Sequence, residues 1–297
     1  MTGATAGGPP VTRILITGVR GKTGAPLAQR LVGRGGVDVL GGSSDPSSVA
    51  IDGVRPAALS WDEPSGWAAA TDGVDAVYVV RPDRPDAAEL VAGLVAGTPA
   101  HARVVLLSGQ EADASPPDGW ALEVEHAVRE SGRGWTLLRP GWFMQVLTDP
   151  RFFRDQILAG TLPFSSAGAS VAWIDTRDIA SVAERALLEP GHAGRTYKLS
   201  GPEAVTLPQT AQALSRALGR PVAHVDLTIE EAVTGMEGFD RQLSTATFER
   251  LHAGVYAEVS DTVERVTGRP ARTLQAFLAD SWPASPSPEG TSPTPPT

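Results

Sequence analysis

Residues 13–24, Arg-Ile-Leu-Ile-Thr-Gly-Val-Arg-Gly-Lys-Thr-Gly, leave few folds open. A short apolar run at 13–17 ends in three glycines, Gly18, Gly21 and Gly24, and an amphipathic stretch over 22–33 follows. This predicts a strand, a tight turn and a helix, the opening of a mononucleotide-binding unit. Gly18 permits the reversal, Gly21 lets the backbone approach a pyrophosphate, and Gly24 lets the helix pack close on the strand. The helix N-terminus offers free N–H groups and a positive dipole end to phosphate. The spacing is GxxGxxG rather than the usual GxGxxG, so its place between strand and helix carries the signal.

The chain keeps alternating strand and helix after that turn. Strands are predicted at 37–42, 57–59, 75–80, 103–107 and 135–138, with helices at 64–70, 86–96 and 120–131. The run Ala76-Val-Tyr-Val-Val80 has no polar break, as in a strand buried on both faces. The pattern predicts an α/β fold with a doubly wound, parallel Rossmann sheet. Past Pro140 it changes. Segments 142–147 and 152–159 read as helical, 162–164 as a turn, and 171–174 as a strand. A helix from Asp175 runs to 188, and a strand lies at 196–199. Further helices are read at 209–218, 229–234 and 239–259. The expected organisation is a loose leader at 1–10 and a nucleotide-binding domain at 11–150, completed by about 171–200. A smaller, mainly helical substrate lobe takes 151–170 and 201–282, and a disordered Pro/Ser-rich tail takes 283–297.

Composition narrows the function. A net charge of −9 with no basic stripe argues against a nucleic-acid partner. No cysteine is present, so disulfides and thiolate zinc sites are excluded, and the histidines show no HxxxH pair that would suggest a metal. No apolar run approaches the roughly 20 residues of a membrane span, and residues 1–10 carry no signal-peptide core. A cytoplasmic enzyme, monomer or homodimer, acting on a small molecule is expected.

An open parallel sheet binds ligands at the carboxyl ends of its strands. The cofactor contacts expected there are Gly18, Arg20, Gly21, Lys22, Thr23, Gly24, Ser43, Ser44, Asp62, Arg81, Ser108 and Pro140. Asp38 sits at the wrong end of its strand to take ribose hydroxyls and reads as a solvated residue. Ser43 and Ser44 can instead hydrogen-bond a 2′-phosphate, and Arg20 in the turn can reach one. NADPH is therefore expected, with NADH the lesser alternative. Asp45 either repels that phosphate or caps the next turn.

Catalysis is less legible. No Tyr-x-x-x-Lys pair exists: Tyr78, Tyr197 and Tyr256 are followed four residues on by Pro82, Gly201 and Ser260. Ser108 at a strand end, with Glu123, Glu125 and His126 on the next helix, are the candidate hydrogen-bonding and acid–base groups. Gln110, Trp142, Phe143 and Met144 are the candidate substrate contacts, the aromatic rings able to stack on a nicotinamide or an aromatic substrate.

The stretches 14–24, 61–67, 73–80, 104–108, 138–144, 174–180 and 194–202 together resemble the NmrA-like, atypical short-chain dehydrogenase/reductase family. The branch resembled includes ergot-alkaloid-type reductases and NADPH-dependent quinone reductases. The resemblance covers 11–282 and implies a Rossmann domain with a small C-terminal lobe and NADP(H). The activity expected for this chain is that of an NADPH-dependent oxidoreductase of secondary metabolism, delivering hydride to a conjugated or quinonoid aromatic substrate such as a polyketide. Two alternatives stay open: coupling of aromatic polyketide quinones, and a non-catalytic NADP(H)-binding redox sensor. Two departures from the family stand out. Ser44 occupies the place where relatives often have Arg, and Ala121 the place of a helix lysine.

Overall fold

A computed structural model describes residues 11–115 and 119–282. The expected leader and tail, and 116–118 of the acidic loop, lie outside these residues.

Seven strands form one parallel sheet: β1 (Thr12–Thr17), β2 (Val37–Ser43), β3 (Val54–Ala58), β4 (Ala76–Val80), β5 (Arg103–Leu107), β6 (Gly134–Pro140) and β9 (Arg195–Leu199). Their order is β3-β2-β1-β4-β5-β6-β9, so the direction of winding reverses between β1 and β4. That reversal opens the crevice in which such sheets bind ligands. Successive residues of β1 feed opposite cores. Ile14 and Ile16 pack under α1 (Gly24–Val32) and α6 (Thr176–Leu188), whereas Leu15 packs with α3 (Ala87–Ala96) and α4 (Trp120–Arg129). This two-sided burial is why the strands read as continuous apolar runs.

Local signals place the helix starts. Asp175 caps α6 by accepting a hydrogen bond from the Arg177 N–H at 2.8 Å. Thr206 and Gln209 form a reciprocal capping box at α7 (Leu207–Leu218).

The second lobe has its own core, with Met144, Phe164, Trp173, Leu214, Phe248 and Phe277 among its members. It differs from expectation in several places. The predicted turn at 162–164 is strand β7 (Thr161–Phe164), paired in parallel with β11 (Ala223–Asp226). Pro163 suggested a turn, but an edge strand tolerates proline. Only Met144–Leu147 of the predicted helix 142–147 is helical, as a 3-10 turn, because Trp142 O and Met144 N bond Ile174 instead. The strand expected at 171–174 shortens to β8 (Ser170–Val171), antiparallel to β10 (Val205–Thr206), with Ile174 bridged to Phe143. Helix α9 (Gly238–His252) stops short of 259, since Gly254 takes a left-handed φ of +80°. Two more helices follow, α10 (Thr262–Thr267) and α11 (Leu274–Ser281). Val263 of α10 packs with the α1–α6 core, so the C-terminal segment serves both cores.

Candidate functional site

The glycine turn is built to close quarters. Gly18 adopts φ +62°, and its carbonyl accepts the Gly21 N–H at 2.8 Å. A Cβ on Gly24 would overlap the Gly18 carbonyl and lie 2.9 Å from Val19 Cα. The turn can form only with no side chain there. The first turn of α1 is thereby held against the end of β1, with Thr23 at its N-cap position.

A groove of about 530 Å³ runs from this turn over the end of β2, lined by Gly18, Arg20, Gly21, Ser43, Ser44 and Asp62, among others. Arg20 is exposed there, and among the described residues no ion pair holds it. Asp45 resolves toward the capping alternative: its Oδ1 accepts from the Ser47 N–H and hydroxyl. Those Ser47 bonds hold its carboxyl below its ordinary value, and the Arg20 charge adds to the effect.

Several expected contacts are engaged elsewhere. The Ser43 hydroxyl is used within the turn, donating to Asp45 O at 2.9 Å and accepting from Asp45 N at 3.1 Å. This leaves exposed Ser44 as the hydroxyl facing the groove. Lys22 turns away from the glycine turn to the second lobe, 2.6 Å from Asp149 and 4.3 Å above the Phe152 ring. Asp62 pairs with Arg84 at 2.6 Å. Asp38 is not simply solvated: it accepts from Arg13 and Arg55, tying the lower ends of β1 and β3 together.

The catalytic expectations need correction. Glu125 is fully buried, and its two oxygens take the Ser108 hydroxyl at 2.6 Å, Arg139 at 2.8 and 2.5 Å, and Arg129 at 3.0 Å. A carboxylate with four donors and no access to solvent has no lone pair for a substrate proton. The network is a structural tie between α4 and the ends of β5 and β6. Ser108 commits its hydroxyl proton to this network. His126 and Glu123 are exposed on the outer face of α4, in a separate surface depression with Ala88 and Leu122. Met144 is 1% exposed and belongs to the second-lobe core.

The remaining candidates do converge. Arg81, Pro140, Trp142 and Phe143 line a cleft of about 250 Å³ beyond the ends of β4 and β6, facing Tyr256 and Thr247 of the second lobe. Arg81 forms an ion pair with Glu111 and lies 4.3 Å over the Trp120 ring. Gln110 is buried behind Gly141, with both amide atoms unpartnered among the described residues. Trp142 has one foot in each compartment. Its ring packs against Phe164 at 4.8 Å and Phe248 at 6.0 Å, and it also lines an apolar pocket of about 460 Å³. Phe152, Phe153, Phe164, Met236, Leu243 and Phe248 wall that pocket. None of these pocket residues was singled out from the sequence. The one available signal was the density of aromatic residues at 142–164.

Comparison with known proteins bears on this geometry. The model of the NmrA-like family matches residues 121–277, and an NAD(P)H-binding model matches 18–190. The chain belongs to the NmrA-like family. Among its relatives in that family is an NAD(P)H azoreductase of Xenophilus azovorans, 39% identical over 236 residues, which are 76% of this chain and 82% of the relative. Another is the (4-alkanoyl-5-oxo-2,5-dihydrofuran-3-yl)methyl phosphate reductase of Streptomyces griseus, 35% identical over 276 residues, 90% and 97% of the two chains. In fold, the chain matches the Citrobacter sp. triphenylmethane reductase complexed with NADP(H), with a TM-score of 0.75 at 20% identity, covering 91% of this chain and 99% of that one. The NmrA-like chain is thus an NAD(P)H-binding protein on a Rossmann sheet. Among its described residues no helix is long and apolar enough to cross a membrane.

Proposed function

We propose that this chain is an NADPH-dependent reductase that delivers hydride to a conjugated or quinonoid aromatic acceptor of secondary metabolism. One observation carries the reading. The nucleotide groove and the aromatic pocket are neighbours that share Arg151 in their walls, and the pocket in turn shares Trp142 with the cleft beyond β6.

The residues present fit a dinucleotide. Gly18 and Gly21 line the groove without side chains, and α1 begins at Gly24 just beyond them. A dinucleotide whose pyrophosphate lay at the glycine turn would have Arg20 and Ser44 within the same groove for its adenosine half. Arg20 and Ser44 are the groups for a 2′-phosphate, which favours NADPH over NADH. When bound, the nicotinamide supplies hydride. The protein's part is to hold the acceptor against it and to exclude water. Trp142, Phe152 and Phe248 offer flat apolar walls for an aromatic ring. The division into a nucleotide-binding part (11–150 with 171–200) and a substrate-binding part (151–170 with 201–282) belongs to the same reading. The names of the two relatives, reductases of azo and conjugated lactone compounds, support acceptors of this class.

The test is NADPH oxidation against a panel of quinones, azo dyes and enones. Turnover with members of the panel is expected. Tight NADPH binding with no turnover on any of them would sink the reductase reading and leave a redox sensor.

A further inference from the structure

The reaction just proposed needs a group that meets the charge it creates. When hydride reaches one end of a conjugated carbonyl or quinone, the displaced π pair ends on oxygen. That oxygen needs hydrogen-bond donors, and then a proton. The Tyr-x-x-x-Lys pair is missing, and Ser108 and Glu125 are tied to each other.

We propose that the Tyr256 hydroxyl, with the Arg81 guanidinium beside it, binds the acceptor oxygen of the substrate, and that Tyr256 gives it the proton. The inference rests on the reductase reading. Tyr256 comes from the second lobe, in the 3-10 turn after α9, and is 4% exposed. It lines the cleft opposite Pro140, Gly141, Trp142 and Phe143, the segment that follows β6. Its ring packs edge-on against Trp142 at 6.1 Å, and its backbone carbonyl accepts the Ala172 N–H at 2.8 Å, which ties down the turn that carries it. Arg81 ends β4 and reaches the same cleft. Glu111 takes its Nη2, while Nη1 is buried with no partner among the described residues. A buried donor in that state is stabilised by an incoming acceptor. The cleft thus presents Arg81 and Tyr256 beside a pocket walled by aromatic rings. It suits an acceptor whose ring lies in the pocket and whose carbonyl oxygen reaches past Trp142.

Burial pushes the Tyr256 phenol up, and the Glu111 carboxylate adds to this. Arg250, Arg81 and the Thr247 hydroxyl oppose them without reversing the direction. The hydroxyl therefore keeps its proton at neutral pH and can donate it. In the step, a C–H bond forms at the acceptor carbon from the hydride, and the carbonyl π pair moves to oxygen. The Tyr256 O–H bond breaks as the new O–H bond forms. The acceptor is reduced by two electrons and the nicotinamide oxidised, and solvent returns the proton to the tyrosinate.

Two measurements test this on the full chain. The first is a binding titration with 4-nitrophenol, whose phenol and phenolate forms differ in colour. Tyr256 and Arg81 favour the phenolate, so Tyr256→Phe should raise the apparent pKa of the bound probe by about one unit or more. The second compares wild type and Tyr256→Phe on two acceptors. A quinone needs a proton, whereas a triphenylmethyl cation takes hydride alone. Tyr256→Phe should lower kcat by about 100-fold or more on the quinone, the range for general acid catalysis, and leave the cation within about threefold. An equal loss on both acceptors, no loss on either, or an unmoved nitrophenol titration would overturn the proposal. If wild type reduces neither acceptor, the reductase reading fails, while the nitrophenol titration still reports on the Tyr256 site.

Discussion

Arg139 grips the fully buried Glu125 with two nitrogens, Nε 2.8 Å from Oε1 and Nη2 2.5 Å from Oε2. Both partners also bind others: Glu125 takes Ser108 and Arg129, and Arg139 reaches Asp113. The arrangement fixes the ends of β5 and β6, on which the cleft is built. Removing one partner strands the other without a counter-charge. Glu125→Ala is expected to cost about 3–5 kcal/mol in stability, and Ser108→Ala about 1 kcal/mol. Denaturant melts check both. With folded Ser108→Ala, kcat should stay within a few-fold of wild type. A large loss of kcat with an unchanged melt would return Ser108 to the chemistry.

Gly24 is the least replaceable residue of the turn. A Cβ there meets backbone atoms of Gly18 and Val19, which cannot rotate away. Gly24→Ala should destabilise by about 1–3 kcal/mol, as overpacking does, and more than Gly21→Ala, which should act chiefly on nucleotide binding. At Gly21 the nearest atom would be the Gly18 carbonyl oxygen at 3.0 Å. Melting curves and nucleotide titrations on the two variants make the comparison.

Lys22 shows how far sequence position can mislead about orientation. It lies in the glycine turn, yet its ammonium pairs with Asp149, far along the chain after β6. Arg151 first, with Lys22 adding to it, holds the Asp149 carboxyl far below its ordinary range, burial acting in opposition. A carboxyl lowered in the folded state contributes stability that is complete above its unfolded value, about 3.9, and is lost as pH falls through the folded value. Lys22→Met should therefore cost about 1 kcal/mol at pH 7. The gap between variant and wild type should close only well below pH 4, as read by urea melts across pH.

Phe152 is 44% exposed, so it can be truncated with little effect on the core. It also walls the aromatic pocket. Phe152→Ala should raise KM for an aromatic acceptor by about tenfold, the worth of one aromatic contact, with kcat little changed. A fall in kcat at constant KM would place the ring at the reacting end instead.

The parts of this molecule that were legible in its sequence are those governed by local rules. The glycines of 18–24 report their own backbone, and the apolar runs of β4 and β5 report burial on both faces. Asp175 announces the start of α6. The site residues from the second lobe were not legible, because helical periodicity says which face is buried but not what it is buried against. Phe248 and Tyr256 look like ordinary apolar positions until α9 and the turn after it fold over Trp142. Glu125 failed for the opposite reason. A charged residue on a helix usually faces solvent, and its three partners, at 108, 129 and 139, come together only in the assembled sheet.

If this site is made for NADPH, Arg20 is the residue on which the preference turns. NADPH and NADH are titrated in parallel by intrinsic tryptophan fluorescence on wild type and Arg20→Ala. Wild type should bind NADPH tightly, and Arg20→Ala should weaken that binding about tenfold or more through loss of a charge-assisted phosphate contact, with NADH barely affected. Equal losses for both nucleotides, or no binding of either by wild type, would contradict it.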